Sequence, residues 1–330
     1  MSRLLVCFVR PLAALGLIPC LVVTGGAAEL EVVKHERGVT VNADGKLFTE
    51  YLIATGPKPI LWPIIGPTGV PMSRAFPMQK IEGEKQDHPH QRSLWFTHGN
   101  VNGIDFWSET ATHGSIVHQE FSEVTATSDT AVISTRNDWL APDGKKQLED
   151  RRTLTFRAGD GQRTIDFDIT LLASDGPATF GDTKEGTMGI RVPTVMDVDS
   201  GQGGRIVNDQ GQTDKDTWGK PAAWVDYYGP VGGQVVGVAI LNHPSSFRYP
   251  TTWHVRTYGL FAANPFGWHD FQGSDQVNGS HTIPKGESIH LRYRFIFHQG
   301  DEKAAGIADA FADYAKEVRP SHDRLREVRN

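Results

Sequence analysis

Residues 162–172, "QRTIDFDITLL", alternate without a break. Thr164, Asp166, Asp168 and Thr170 fall on one side of an extended chain, and Ile165, Phe167, Ile169 and Leu171 on the other. A helix would scatter both sets around its circumference. A strand sorts them into one dry face and one wet face, and the dry face needs a second layer to cover it. Comparable runs are punctuated by turn chemistry. "VTVNADGKLFTEYLI" is expected to be a hairpin bending at Asp44-Gly45. "RRTLTFRAGDGQRTIDFDITLL" is expected to bend at Gly159-Asp160-Gly161, and "AAWVDYYGPVGGQVVGVAIL" at Gly232-Gly233. "HTIPKGESIHLRYRFIFH" places a turn at Pro284-Lys285-Gly286 before a long strand. A helical period emerges only in "DEKAAGIADAFADYAKEV", where Ala305, Ile307, Ala308, Phe311, Tyr314 and Ala315 form one stripe. The expectation is an all-β protein: a large antiparallel β-sandwich over 29–300, one C-terminal helix over 301–318 packed on the sheet, and a polar tail over 319–330.

The first 28 residues break this pattern. Arg3 and Arg10 make a basic start, and the apolar run from Leu12 to Val23 is short and Pro-interrupted. Gly26-Ala27-Ala28 offers small residues for cleavage, so 1–28 reads as a secretory signal peptide. The expected location is outside the cytoplasm, periplasmic or secreted, with no membrane attachment after cleavage. Both cysteines, Cys7 and Cys20, lie in this segment. The rest of the chain therefore has no disulfide, no thiolate nucleophile and no cysteine metal site. The net charge of −6 becomes −8 when Arg3 and Arg10 are lost, and no Lys/Arg block stands out. Nucleic acid and anionic membrane surfaces are excluded as favoured partners. All eight tryptophans lie beyond residue 28. Such rings stack on the apolar faces of sugars, but they also fill cores, so the count gains meaning only beside the motifs.

Three stretches concentrate chemistry. "DHPHQRSLWFTHGNVNGIDFW" (87–107) carries His88, His90, Arg92, Trp95, His98 and Asp105. On a strand, His88, His90 and Arg92 would share a face, and Pro89 argues for an edge or rim position. "NHPSSFRYPTTWHVRTYGLFAANPFGWHDF" carries His243, Trp253, His254, Arg256, Tyr258, Asn264 and Trp268, with His254, Arg256 and Tyr258 on one strand face. In "FGDTKEGTMGIRV", Glu185 sits between Gly181 and Gly186 and shares parity with Thr187 and Arg191. A carboxylate there becomes a general base if burial raises its pKa.

These motifs resemble the PmoA-like family of bacterial exported proteins, usually labelled "methane oxygenase PmoA", over nearly the whole chain after the signal. The methane monooxygenase subunit of that name is an integral membrane protein, whereas this chain offers no span beyond the signal, so kinship carries over and the activity does not. Members often read His-Pro-His-His-Arg-Gly; here Gln91 and Ser93 stand in the fourth and sixth places. The pattern is also similar, at fold level, to the galactose-mutarotase-like supersandwich. That likeness implies sugar binding by His, Arg, Trp and Asn, with proton transfer by His and Glu, in epimerases, lyases or glycoside hydrolases.

The resulting expectation is a carbohydrate-active enzyme acting on a small sugar or a polysaccharide. His88, His90 or His254 would be the general acid and Glu185 the base. Arg92 and Arg256 would hold hydroxyls, a carboxylate or a sulfate. Trp95, Trp253 or Trp268 would stack on the ring. His98, Asp105, Arg191, His243, Tyr258 and Asn264 would complete the binding set. No cofactor is expected on this reading. One alternative is a metalloenzyme holding a divalent metal on His88 and His90, with His98, His243 or His254 as a third ligand. Another is a non-catalytic sugar-binding protein. The enzyme reading requires His88, His90 and Arg92 to converge with His254 and Arg256.

Overall fold

The computed structural model describes residues 28–318 apart from residue 160. The expected signal peptide, up to residue 27, and the polar tail lie outside the described residues. Two eight-stranded sheets make up the body. The first runs, in spatial order, β1 (Leu30–His35), β2 (Gly38–Ala43), β3 (Lys46–Thr55), β4 (Lys58–Ile64), β5 (Leu94–His98), β11 (Gly186–Arg191), β16 (Leu260–Ala263) and β15 (Trp253–Val255). The second runs β12 (Arg205–Asn208), β13 (Trp224–Val231), β14 (Gln234–Asn242), β18 (Ser288–Gln299), β9 (Gln162–Leu172), β8 (Lys146–Gly159), β7 (Ala131–Leu140) and β6 (Ser115–Ala126). A small ribbon pairs β10 (Ala178–Phe180) with β17 (His281–Ile283). Neighbouring strands in both sheets are antiparallel.

The expected corners are present. Ala43 pairs with Lys46 across Asp44-Gly45, Gly159 with Gln162, and Val231 with Gln234 across Gly232-Gly233. The alternation in β9 is resolved as expected: Ile165, Phe167, Ile169 and Leu171 enter a core shared with Phe48, Leu94, Phe96 and Ile190 of the first sheet. Each large apolar side chain buried there contributes about 1.5–3 kcal/mol. The opposite face of β9 is less wet than its sequence implies. Asp166 and Asp168 are buried and paired across the ladder with Arg294 and Arg292 of β18.

Each sheet has a covered outer face. The second is covered by the C-terminal segment, where Ile307 and Tyr314 of α2 (Ile307–Tyr314) pack on Trp224, Ala239, Leu241 and Ile296. This helix is shorter than the 301–318 expected. Gly306, at φ 65°, supplies the left-handed residue at its start, and the chain before it makes turns. A second short helix, α1 (Trp268–Gln272), follows β16. Among the described residues no helix is long and apolar enough to cross a membrane. The outer face of the first sheet is covered by the loop 65–93 and by the chain after β5, and the chemistry gathers there.

Candidate active site

Register decides which side chains share that outer face. Trp95 pairs with Gly189, Gly189 with Ala262, and Ala262 with His254. Directly paired residues of an antiparallel sheet project to the same side, so these four make one row. Gly189 lets the Trp95 indole lie close over the strand: a Cβ there would sit 3.1 Å from Trp95 Cζ2. Trp107 packs against Trp95 with ring centroids 5.3 Å apart, and Leu52, Ile60 and Leu260 complete the apolar floor.

The loop 65–93 lies over this floor, held by two buried arginines. Arg74 donates to the Asp87 carboxylate, to the carbonyl of His88 at 2.9 Å and to that of Gln91 at 3.3 Å. Arg191, from the end of β11, donates to Asp87 at 3.0 Å and to the side-chain oxygen of Gln91. Partial burial would raise the Asp87 pKa, but Arg191, His88 and Arg74 bring it down to about 2. So held, His88 takes a left-handed backbone, φ 44°, uncommon for a residue with a side chain. Its Nδ1 stands 3.0 Å from Asp87 Oδ2, and its ring stacks on Tyr258 at 5.2 Å with only 7° between the planes.

His88 therefore does not sit on a strand, and neither do His90 and Arg92. The strand begins only at Leu94, and the shared-parity reading of these three residues fails because the loop turns at Pro89-His90. They are nonetheless close. His90 lies 5.7 Å from His88 and 6.3 Å from Trp107, centroid to centroid. An aromatic strip thus runs Tyr258–His88–His90–Trp107–Trp95, but Trp95 and Trp107 are fully buried beneath the loop, so Trp95 does not offer the ring face expected to stack on a sugar. Burial, reinforced by Lys58 and His88 and opposed by Glu109 and Asp105, lowers the His90 pKa to about 4. Arg92 turns away and forms a two-pronged pair with Glu109, at 2.7 and 2.5 Å, which Lys58 shares at 3.0 Å.

The other wall is the segment 182–185 and the β15–β16 hairpin. Tyr258 and Arg256 belong to the hairpin tip rather than to the strand, which ends at Val255. Tyr258 receives the Arg191 guanidinium at 4.8 Å and that of Arg256 at 5.6 Å from its ring centre. Asn264 donates to the carbonyls of Thr183 at 2.9 Å and Lys184 at 3.0 Å, and so sets the backbone that carries Glu185. His254 Nδ1 lies 2.7 Å from the same Lys184 carbonyl, an arrangement that places the proton on Nδ1 and leaves the lone pair on Nε2. Burial lowers the His254 pKa to about 3. Burial raises the Glu185 pKa; Lys184, 3.6 Å away, opposes the shift, and Asp270 and Asp105 add to it. Asp105 accepts from the backbone N–H groups of Trp107 and Ser108.

The structure thus brings His88, His90, Trp95, Asp105, Glu185, Arg191, His254, Arg256 and Tyr258 to one side of the first sheet. It does not bring six others, of which Arg92 is turned away onto Glu109. His98 points into the core between Phe180 and Phe266, and its Nε2 meets the Gly181 carbonyl at 2.8 Å. Trp253 packs on Phe261 in the same core, and its N–H goes to the Ala222 carbonyl. His243 is with Arg292 and Tyr314 under α2, on the second sheet. Trp268 lies under the Arg248 guanidinium, 4.3 Å from its ring centre. Asn264 is fully buried and acts only through the backbone it holds. Sequence reasoning missed Arg74, Lys58, Glu109 and the floor residue Trp107. Of these, Trp107 closes the motif 87–107 and Glu109 follows two residues after it. Lys58 and Arg74 carry no local signal, because their partners are distant in sequence. The metal alternative needs a third donor beside His88 and His90. Among the described residues no three His, Asp, Glu or Cys side chains gather as a metal site, and Asp87, the nearest carboxylate, is taken by two guanidiniums.

Several solved structures are similar in outline. A protein assigned as an aldose 1-epimerase from Klebsiella pneumoniae subsp. pneumoniae shares 11% identity, with 88% of each chain covered and a TM-score of 0.45. A galactose mutarotase-like protein from Lactobacillus casei shares 10% identity over 82% of this chain and 100% of that one, with a TM-score of 0.33. The GH36 α-galactosidase AgaA from Geobacillus stearothermophilus shares 11% identity over 82% of this chain but only 41% of its own, with a TM-score of 0.37. No curated protein matches the chain in sequence. One family model does match, over residues 38–312, and its description carries no oxygenase label. The chain belongs to that family, the family of unknown function DUF6807.

Proposed function

We propose that this protein is a carbohydrate-active enzyme that moves protons on a bound sugar, with His88 as the acid–base group and Glu185 as its partner. The observation that carries this reading is the Asp87–His88–Tyr258 arrangement. A carboxylate orients Nδ1 of an imidazole whose side chain is 41% exposed, on a backbone held left-handed by two buried arginines. Non-glycine residues in sparsely populated backbone regions persist where the surroundings over-determine them, and such positions cluster at functional sites. The part-exposed rings of His88, His90 and Tyr258 support a sugar as ligand, since ring faces stack on apolar sugar faces. Glu185, with its raised pKa, supports a proton-transfer role.

Proton transfer of the epimerase or lyase type is favoured over hydrolysis. Hydrolysis ordinarily needs two carboxylates free to face the scissile bond, and Asp105 already accepts from two backbone N–H groups. On the signal-peptide reading the enzyme works outside the cytoplasm, and the mass of the protein recovered from culture fractions tests that. The functional test is anomer exchange by NMR and product formation on neutral and acidic sugars and polysaccharides. Wild type would be compared with His88→Ala and Glu185→Gln. Turnover lost in both variants with binding retained is expected. Binding with no turnover of any substrate in wild type would favour a sugar-binding protein, and no sugar binding at all would sink the proposal.

A further inference from the structure

Four cations near His88 share two ion-pair partners. Arg74 and Arg191, both essentially without exposure, share the single carboxylate of Asp87. Lys58, equally buried, and Arg92 share the single carboxylate of Glu109. Two flanking clusters thus hold four cations against two carboxylates. Further carboxylates lie nearby: Glu84 acts on Arg74, Asp105 acts on Lys58, and Glu185 faces Lys184. All this occurs in a chain whose net charge is −6.

Arg256 adds a further cation, which has no ion-pair partner among the described residues. It is half-buried, and its guanidinium lies 5.6 Å from the ring centre of Tyr258 and 5.8 Å from that of Trp218. Among the described residues it donates to no carboxylate and no carbonyl. Aromatic faces on both sides hold the planar fork, so little side-chain freedom is lost when it binds. A guanidinium so placed matches a carboxylate or a sulfate in two-pronged geometry. Tyr258 carries both His88 and Arg256 against its ring, so an anion on Arg256 is next to the group that orients on Asp87.

We infer that the sugar bound on this face carries an anionic substituent, a carboxylate or a sulfate, which Arg256 receives beside His88. This rests on the sugar reading above, and the experiment separates the two. Calorimetric titration of wild type, Arg256→Gln and Arg256→Lys would use D-glucuronate, D-galacturonate and galactose 6-sulfate as acidic probes. D-glucose, D-galactose and inorganic sulfate serve as the references. An acidic sugar should bind at least tenfold more tightly than its neutral counterpart. Added salt should reduce that advantage, Arg256→Gln should erase it with neutral binding unchanged, and Arg256→Lys should keep part of it. Preference for uronates or for the sulfate ester decides which anion is meant. Equal binding of acidic and neutral sugars, or a preference that survives Arg256→Gln, overturns the inference and leaves the sugar reading standing. Arg256-dependent binding of sulfate with no sugar bound overturns the sugar reading and with it the inference, leaving only an anion site on Arg256. No binding by any probe overturns both. Circular dichroism and unfolding midpoints confirm that each variant is folded.

Discussion

Asp87 offers Oδ2 to Nδ1 of His88 at 3.0 Å while Arg191 grips its Oδ1 from beneath, also at 3.0 Å. One carboxylate therefore both anchors the loop and orients the imidazole, which fixes the proton of the neutral ring on Nδ1 and leaves Nε2 to accept from a ligand. Replacing His88 with Ala should lower turnover by about 10²–10⁴-fold, the usual contribution of a positioned acid–base group. The side chain is partly exposed, but its stacking on Tyr258, its bond to Asp87 and a backbone at φ 44° are all affected, so the unfolding free energy should fall by about 1 kcal/mol. Asp87→Asn should lower turnover and also destabilise, because Arg74 and Arg191 lose their counter-charge. Turnover and urea midpoints of both variants check this. An active His88→Ala variant would remove His88 from the mechanism.

Asn264 should behave as a positioning residue. Its amide holds the carbonyls of Thr183 and Lys184, and its oxygen accepts from Phe266 N at 3.0 Å. Asn264→Ala leaves buried polar groups unsatisfied, at about 1–3 kcal/mol each, and lets the Glu185 backbone move. We expect a loss of stability together with a shift of the acidic limb of the pH–rate profile, since the raised Glu185 pKa depends on its burial. Glu185→Gln should abolish that limb with the fold intact. A profile unchanged in Asn264→Ala would mean that the segment holds its place without the amide.

Gly189 is required by its neighbour rather than by its backbone. A Cβ would meet three atoms of the Trp95 indole at 3.1–3.3 Å. Gly189→Val should therefore cost about 1–3 kcal/mol through overpacking, and it should displace Trp95 from the floor. A changed tryptophan emission maximum together with weakened sugar binding is the expected result. Unaltered emission would show that Trp95 does not lie over this strand.

Local chemistry made the scaffold legible. The Asp44-Gly45 and Gly232-Gly233 corners and the strict alternation of 164–171 each specify structure within a few residues. The site was legible as composition but not as geometry. His88, His90 and Arg92 look like one strand face because parity assumes an extended chain. The loop instead turns at Pro89-His90, and its course is set by Arg74 and Arg191, which reach Asp87 from 13 and 104 positions away. His98 was misjudged for a related reason. β5 sends alternate residues to opposite sides, so Trp95 faces the site and His98 the core. The pairing of β5 with β4 and β11 decides which side is which, and these pairings are long-range events with no local signature.

Two fully buried histidines should make the protein sensitive to mild acid. His98 is held down to about 4 and His254 to about 3, both chiefly by burial, against 6.5 for a free imidazole. Unfolded, each takes a proton near 6.5; folded, neither does until the pH is far lower. The unfolded state therefore binds more protons in between, and stability rises with pH there. The contribution of these two groups is full above 6.5 and is lost as the pH falls from 6.5 through about 4 for His98 and about 3 for His254. Each contributes a slope of about 1.4 kcal/mol per pH unit within that window. His298 acts in the opposite sense. Burial would lower its pKa, but Asp226 at 2.9 Å raises it, so its contribution is full below 6.5 and fades as the pH rises through the folded value. Urea midpoints measured from pH 8 to pH 4 should hold near neutrality and drop steeply below 6.5. His98→Gln, which keeps a polar group for the Gly181 carbonyl, should make that drop shallower by the share of one proton. A flat profile from 6.5 to 4.5 would show that these imidazoles are not buried in their neutral form.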